Sequence, residues 1–352
     1  MTRTSPRREL RRTMRACASL LALWVVLALA SSVRAQATAD SVRARGHLLC
    51  GVNTTMQGFS AMDGQGRWAG LDVDVCRAIA AAVLGDAEKV HYVPLSASER
   101  FASLKAGTID VLSRNVTITL ERDASLGLQM TAIAYYDGQG FMVPLKSRIR
   151  SARQLKDKTV CLQQGSSTIR NVRDYSRTHK LNIRPMVFDQ LEDVIAAYFA
   201  GNCDALTNET SQIAALRAQF AKTPADHIIL PELIAKGPMG PMVRRGDEHW
   251  TSLVRWVLYG LIEAEELGIT QANIDQFRNS PDPSVQRVVG TGEDAGKLMG
   301  LDREWQARAI RATGNYGEIF ERNLGPRSVL GLPRGMNHLW NKGGLHYAPP
   351  VR

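Results

Sequence analysis

Lys158-Thr159-Val160-Cys161-Leu162-Gln163-Gln164-Gly165-Ser166-Ser167-Thr168-Ile169 decides the fold. Residues 158–162 form a short, largely apolar run that reads as a buried strand. Residues 163–168 make a polar loop with one glycine, and a helix is expected from about Ile169. Downstream the same grammar repeats. Residues 183–188 read as a strand, and Asp189 opens a helix in which Leu191, Val194, Ile195, Tyr198 and Phe199 share a face before Gly201 stops it. Residues 205–207 are the next strand, followed by a helix over 210–220. Upstream, residues 47–52 are a strand feeding a loop with Gly58, Gly64 and Gly66. Asp72 then reads as the N-cap of a helix carrying Val73, Cys76, Ile79, Ala80 and Val83 at helical spacing. Residues 89–94 and 109–112 are strands flanking a helix over 98–106 that Gly107 ends. Strand, glycine-bearing loop and helix in alternation predict an α/β protein: parallel-dominated sheets with helices on both faces and binding chemistry at the carboxyl ends of the strands.

The chain of 352 residues is long for one core and suits two domains. Two crossings between them are expected, at Gly140-Phe141-Met142-Val143-Pro144 and at Gly237-Pro238-Met239-Gly240-Pro241-Met242-Val243. The first lobe is then discontinuous, residues 47–142 plus 243–352 with a C-terminal extension, around a second lobe of residues 143–242. A long helix over 248–267 is expected to pack back on the first lobe. No regular structure is assigned to the tail after about residue 320.

The N-terminus reads as an export signal. Six arginines within residues 1–15 precede the apolar run 16–30, and small residues follow through Ser31, Ser32 and Ala35. That order is a secretory signal peptide over residues 1–35, with cleavage after Ala35 or Ala37. The run of about fifteen residues is short for a membrane span. The whole chain is formally +10. Residues 1–35 carry seven arginines and one acid, so the remainder is near +4. No basic tract with interleaved aromatics remains, and nucleic acid is not an expected partner. Cys50, Cys76, Cys161 and Cys203 follow the leader. An even number in an oxidising compartment suggests disulfides. Four cysteines allow three connectivities, and if each lobe folds as a unit the natural pairing is Cys50–Cys76 with Cys161–Cys203. No CxxC, Walker A, HExxH, GxSxG or dinucleotide fingerprint occurs, so neither a metal nor a cofactor is expected.

Three places offer polar groups to a ligand. Thr117-Ile118-Thr119-Leu120-Glu121-Arg122 follows the strand at 109–112 and brings a hydroxyl and a guanidinium to the crevice; Arg122 is suited to a bidentate grip on a carboxylate. Gly165-Ser166-Ser167-Thr168 opens a helix, where free N–H groups and the positive helix end favour an anion. Glu209, just past the strand at 205–207, either offers an anionic acceptor to an ammonium or is an acid in the first turn of the following helix, favoured by its dipole. Phe59, after Gly58, either covers a ligand's aliphatic part or plugs the lobe.

Longer strings carry a family resemblance. They are Gly70-Leu71-Asp72-Val73-Asp74-Val75-Cys76-Arg77-Ala78, Asp110-Val111-Leu112-Ser113-Arg114-Asn115, the 117–122 segment, Tyr135-Tyr136-Asp137-Gly138-Gln139-Gly140-Phe141-Met142-Val143, Asn315-Tyr316-Gly317-Glu318-Ile319-Phe320-Glu321-Arg322-Asn323 and the tail from Trp340 to Pro350. The chain resembles the periplasmic amino-acid-binding proteins of the polar amino-acid ABC importers, in the branch of general L-amino-acid-binding proteins. The resemblance implies the two-lobed type II periplasmic-binding-protein fold and capture of free L-amino acids with broad specificity. It further implies delivery to an inner-membrane ABC permease with its ATPase, as a monomer and without catalysis. By position it carries the carboxylate grip to Arg122 and Thr117, with backbone contacts near Ser167 and Thr168. The stacking aromatic falls on Phe59, and Asn115 takes a place where many relatives have glycine. The ammonium acceptor, usually aspartate, is Glu209. Ala97 stands where narrower relatives carry a second aromatic, which implies a permissive pocket. The same resemblance leaves two other roles to weigh, a periplasmic dehydratase of cyclic amino-acid precursors and an amino-acid sensor domain.

Overall fold

The computed structural model describes residues 37–53 and 55–352. The leader read at residues 1–35 lies outside the described residues; Ala37 opens the helix Ala37–Arg45. In chain order the strands are β1 (Leu48–Val52), β2 (Ala61–Met62), β3 (Trp68–Ala69), β4 (Val90–Pro94), β5 (Val111–Leu112) and β6 (Leu128–Met130). They continue as β7 (Tyr135–Pro144), β8 (Thr159–Gln163), β9 (Arg184–Phe188), β10 (Ala205–Glu209), β11 (His227–Ile229), β12 (Ala235–Met239) and β13 (Met242–Arg244).

Two sheets follow. The first has the order β4-β1-β5-β13-β6; the second runs β11-β7-β10-β8-β9, with β12 also paired to β7. In each, a parallel trio is linked through helices, as parallel neighbours require. For β1, β4 and β5 these are Leu71–Leu84 and Arg100–Ala106; for β8, β9 and β10 they are Thr168–His179 and Leu191–Phe199. The antiparallel members β13, β6, β7, β11 and β12 flank the places where the chain passes between sheets. The helix Glu248–Glu266 buries Trp250, Leu253, Val257 and Leu261 and packs on the helices Leu71–Leu84 and Trp305–Thr313 of the first lobe.

The second crossing falls within the expected 237–243, and the first differs from expectation. Residues 135–142, expected in the first lobe, belong to β7 in the second sheet, and the chain passes between sheets at 131–134 and 240–241. Gly140 is not a turn residue: a Cβ there would press within 2.7 Å of the Thr210 methyl, so glycine lets the following helix lie close on β7. The two true crossings run side by side. The Ala134 N–H donates to the Met239 carbonyl (2.8 Å), Thr131 N–H to the Pro241 carbonyl (3.1 Å), and Gly240 N–H to the Val116 carbonyl (3.2 Å). A side chain at Gly240 would collide with the Ala132 carbonyl, so this close pairing requires glycine.

The expected N-cap also moves. Gly70 occupies the cap of Leu71–Leu84, with no side-chain cap bond. Asp72 is instead turned inward, accepting from Ser113 Oγ (3.0 Å) and Asn115 N–H (2.9 Å). Farther on, the tail after residue 320 straps onto the start of β7. Tyr136 N–H donates to Asn337 Oδ1 (2.7 Å), Asn337 Nδ2 donates to the Tyr136 carbonyl (2.9 Å), and the His346 ring stands edge-on to Tyr136.

Cys50 and Cys76 are bonded, with Cα atoms 6.4 Å apart, as are Cys161 and Cys203, at 5.7 Å. Each bond stays within one lobe. They span sequence separations of 26 and 42 residues, for which loop-closure entropy gives roughly 3.5 and 4 kcal/mol. Peptide mapping without reduction is expected to recover these two pairs and no Cys50–Cys161 link. Reduction is expected to lower the urea midpoint by an amount equivalent to about 3 kcal/mol or more.

Candidate functional site

The strands of both sheets end at one cleft. β1 delivers Asn53, β5 leads through Ser113 to Thr117, β8 ends at Gln163 before the Gly165 loop, and β10 ends at Glu209. Together with the helices Arg100–Ala106 and Leu120–Ser125 they enclose an empty space of about 490 Å³, part of it open to solvent. Of the residues expected to hold a ligand, Asn115, Thr117, Arg122, Ser167, Thr168 and Glu209 all line this cavity.

Phe59 does not line it. The segment around it closes on itself, Met56 N–H to the Ser60 carbonyl (2.9 Å) and back (2.8 Å), while the Asp72 N–H holds the Phe59 carbonyl (2.9 Å). These bonds turn the ring into the core, where it is 1% exposed and meets Tyr135 edge-on at 5.7 Å. Of the two roles left open for it, the structure selects the plug, and Met56 takes its place on the cavity wall.

Arg122 lies on the short helix Leu120–Ser125, whose N-cap Thr119 accepts its N–H (3.2 Å). Its Nη1 donates to the Thr117 carbonyl (2.9 Å), and the guanidinium lies 5.1 Å from the Phe101 ring centre. Burial lowers its pKa, partly offset by the charges of Glu209 and Glu121. Asn115 has φ 39°, a left-handed conformation that asparagine tolerates better than most residues and that glycine adopts freely. Its N–H is carried by Asp72 and its Oδ1 accepts from Asn53 Nδ2 (3.3 Å).

On the opposite wall, the helix Thr168–His179 begins at Ser167 with no side-chain cap, which leaves its first N–H groups facing the cavity without a capping side chain. Ser166 Oγ donates instead to the Gln163 carbonyl (2.6 Å). Gln139, fully buried on β7, fixes this corner. Its Nε2 donates to the Thr168 carbonyl (3.2 Å) and Thr207 Oγ1 (2.9 Å), and its Oε1 accepts from Asn171 Nδ2 (2.8 Å).

Glu209 is 3% exposed. Oε1 accepts from Thr117 Oγ1 (3.1 Å), and Oε2, also buried, has no hydrogen-bond partner among the described residues. Its carboxyl is pushed up to about 8, by burial first and then by the nearby Asp137, against the pull of Thr117 and Arg122. Gly237 makes this placement possible, because any Cβ there would overlap the carboxylate.

Asp72, Gln139, Arg100 and Arg114 were not singled out as site residues from the sequence. The first two act through long-range partners, which leave no local signal. The two arginines line the same cavity as Ala97. All of this can receive a small zwitterion: cationic groups and helix N–H donors for an anion, and an unsatisfied carboxylate oxygen for a cation.

Residues 48–273 match the sequence model of the family described as bacterial extracellular solute-binding proteins, family 3. The chain is 50% identical over 329 residues, 93% of it and 96% of the relative, to the general L-amino acid-binding periplasmic protein AapJ of Rhizobium johnstonii. It is 45% identical over 326 residues, 92% of it and 96% of the relative, to the glutamate/glutamine/aspartate/asparagine-binding protein BztA of Rhodobacter capsulatus. Among solved structures it is similar to an ABC transporter periplasmic binding protein from Brucella ovis with glutathione bound. That likeness has a TM-score of 0.88 and 48% identity, and covers 90% of this chain and 99% of that one. These relatives are named as binding and transport proteins.

Asp72 tests the architecture of the cleft independently of any ligand. Replacing it by alanine orphans the buried Ser113 hydroxyl and Asn115 N–H, and the expected loss is about 2–3 kcal/mol of unfolding free energy in urea. An Asp72→Ala protein as stable as the parent would show that Asp72 does not hold the 113–117 turn.

Proposed function

Because the chain belongs to the bacterial extracellular solute-binding proteins of family 3, we propose that it captures a free L-amino acid between its lobes. It acts in the periplasm after removal of its leader, and delivers the amino acid to an inner-membrane ABC permease driven by a separate ATPase. The observation that carries this reading is the pairing inside one cavity of the Arg122 guanidinium, from the first lobe, with the unsatisfied Glu209 Oε2, from the second.

The α-carboxylate meets Arg122 and the uncapped N-terminus of Thr168–His179; the ammonium meets Glu209, beside Thr117. Each group of the ligand thus completes a charge that the protein alone leaves short of partners. Contacts from both lobes make closure about the paired crossings at 131–134 and 240–241 depend on the ligand. The cavity, about 490 Å³ with its opening to solvent included, is of small-molecule size. Two intra-lobe disulfides suit an oxidising compartment.

Calorimetry with a panel of the common L-amino acids tests the reading: one or more should bind with 1:1 stoichiometry. Arg122→Ala should weaken that binding about a hundredfold or more while the circular dichroism spectrum stays that of the parent. Unchanged affinity would remove Arg122 from the site.

The titration of Glu209 gives a second test. Before the ligand enters, the carboxyl sits at about 8. A ligand ammonium beside Oε2 favours the ionised form and draws that value down. Below about 8, binding therefore releases a proton, and affinity rises with pH by at most about tenfold per unit. Above about 8 it levels off. Calorimetry at about pH 6, 7 and 8 in buffers of different ionisation heat should show the release, and Glu209→Gln should abolish it. Proton uptake on binding, or none, would contradict this role for Glu209.

A further inference from the structure

One face of the second lobe is far more basic than the protein as a whole. Between Lys146 and Arg184 stand eleven Lys and Arg against two acids, Asp157 and Asp174, a balance of +9. Residues 36–352 together come to +4, so everything else past the leader comes to −5. All eleven cations but Lys158 are exposed. They belong to one surface. On the helix Thr168–His179, Val172 and Ser176 are buried while Arg170, Arg173 and Arg177 recur at helical spacing on the outer side. Ile149, Ala152 and Leu155 pack in one cluster with Val172 and Leu181, which lays Arg148, Arg150, Arg153 and Lys156 beside that helix. The Asp157 N–H donates to the Leu181 carbonyl (2.8 Å), and Arg184 Nη2 donates to the Asp157 carbonyl (3.0 Å). These bonds join the same segment to Lys180 and Arg184. Few of the charges are met within the protein. Arg170 pairs with Glu121, Arg177 with Asp174 and Lys158 with Asp204; the other eight make no ion pair among the described residues.

Like charges gathered on one face without counter-charges repel one another and favour an anionic partner. Three observations narrow that partner. No phenylalanine, tyrosine or tryptophan within residues 146–184 is exposed, so nucleic-acid bases find no stacking platform. β9 is the open edge of the second sheet beside these cations, yet it resists an added strand. The Arg184 N–H points inward to the Lys158 carbonyl (2.9 Å), so the next residue stands at an outward position. That residue is Pro185, which has no N–H to give. An extended acidic peptide therefore gains little backbone pairing here. Two exposed aliphatic side chains flank the cations: Leu145 precedes Lys146, and Val187 borders one groove with Arg173, Arg177 and Lys180. Cations with aliphatic side chains among them suit the boundary between lipid headgroups and acyl chains. We propose that this face docks the protein on an anionic phospholipid bilayer, with the second lobe toward the headgroup phosphates. Several cations lying within one Debye length of such a surface act on it together. The face lies outside the ligand cavity, and its role stands whatever the cavity binds.

Cosedimentation of the leader-free protein with vesicles tests the proposal. At about 0.05 M salt, vesicles of about one-third phosphatidylglycerol in phosphatidylcholine should bind it roughly tenfold or more better than phosphatidylcholine alone. At about 0.5 M salt the difference should vanish. Arg153→Glu, Lys156→Glu and Arg173→Glu together remove three exposed cations that make no ion pair, and should weaken vesicle binding about tenfold or more. The same charge change at Lys105, Lys297 and Lys342, exposed cations on the first lobe, should weaken it less than about threefold. Equal binding of the wild-type protein to the two kinds of vesicle would overturn the proposal, and that comparison needs no variant. Equal losses in the two triple variants would overturn it as well, being the signature of net charge alone. A wild-type protein that ignores the vesicles, but is held in detergent by its permease through the same three cations, would assign the face to an acidic protein and end the membrane reading.

Discussion

A cleft that must hold two opposite charges of one small molecule needs a place where both are tied to the same backbone. Thr117 is that place. Its carbonyl holds Arg122 Nη1, its hydroxyl donates to Glu209 Oε1 across the cleft, and its backbone bridges to Met239 at the end of β12. Ile118 N–H continues the link to the Pro238 carbonyl (2.7 Å). Loss of register here would move the cationic and the anionic wall relative to each other. The distance between the two charges is therefore set by hydrogen bonds across the lobe boundary rather than by either lobe alone.

Other features of the site serve that geometry. Gly237 lets the Glu209 carboxylate lie flat on β12, and Asp137, which accepts from Thr210 Oγ1 (2.6 Å) and the Ser211 N–H (3.1 Å), anchors the helix that Glu209 precedes. The same Asp137 raises the Glu209 carboxyl. Closure is supported from outside the cavity by the ion pair of Arg170 with Glu121 (2.8 Å), one residue from each lobe. That pair is largely solvent-exposed, so it orients more than it stabilises.

What could be read in the sequence was what is local. The alternation of strands and helices, the glycine stops and the loops at strand ends depend on neighbouring residues, and their boundaries fall within a residue or two of those in the structure. The readings that moved depend on partners far along the chain. Asp72 looks like a helix cap because it stands at a helix start, but its partners, Ser113 and Asn115, are about forty residues away. Gly140 and Pro144 look like a connector, yet β7 runs through Gly140 and ends only at Pro144, since Gly140 answers to a neighbouring helix. Phe59 follows a glycine in a loop, and only the closing bonds of residues 56–60 show that its ring faces inward. Arg100 carries no pattern of its own among 44 Lys and Arg residues; what is missing around it shows only in space.

The groups that the cleft leaves unsatisfied have a structural counterpart elsewhere. Oε2 of Glu209 and Nε of Arg100 both lower the stability of the protein without ligand, since buried polar atoms without partners are unfavourable. Such a cleft persists only on supports that do not relax to relieve it. The two disulfides lie on those supports. Cys50 is in β1, whose end delivers Asn53, and Cys76 is in the helix that carries Asp72. Cys161 is in β8, whose end opens the Gly165 loop, and Cys203 stands two residues before β10, the strand of Glu209. Each bond therefore locks together two elements that supply one wall of the cavity, and neither joins the two walls. Each wall is kept rigid while the motion between them stays free, the division needed when a ligand is to be the missing part of both.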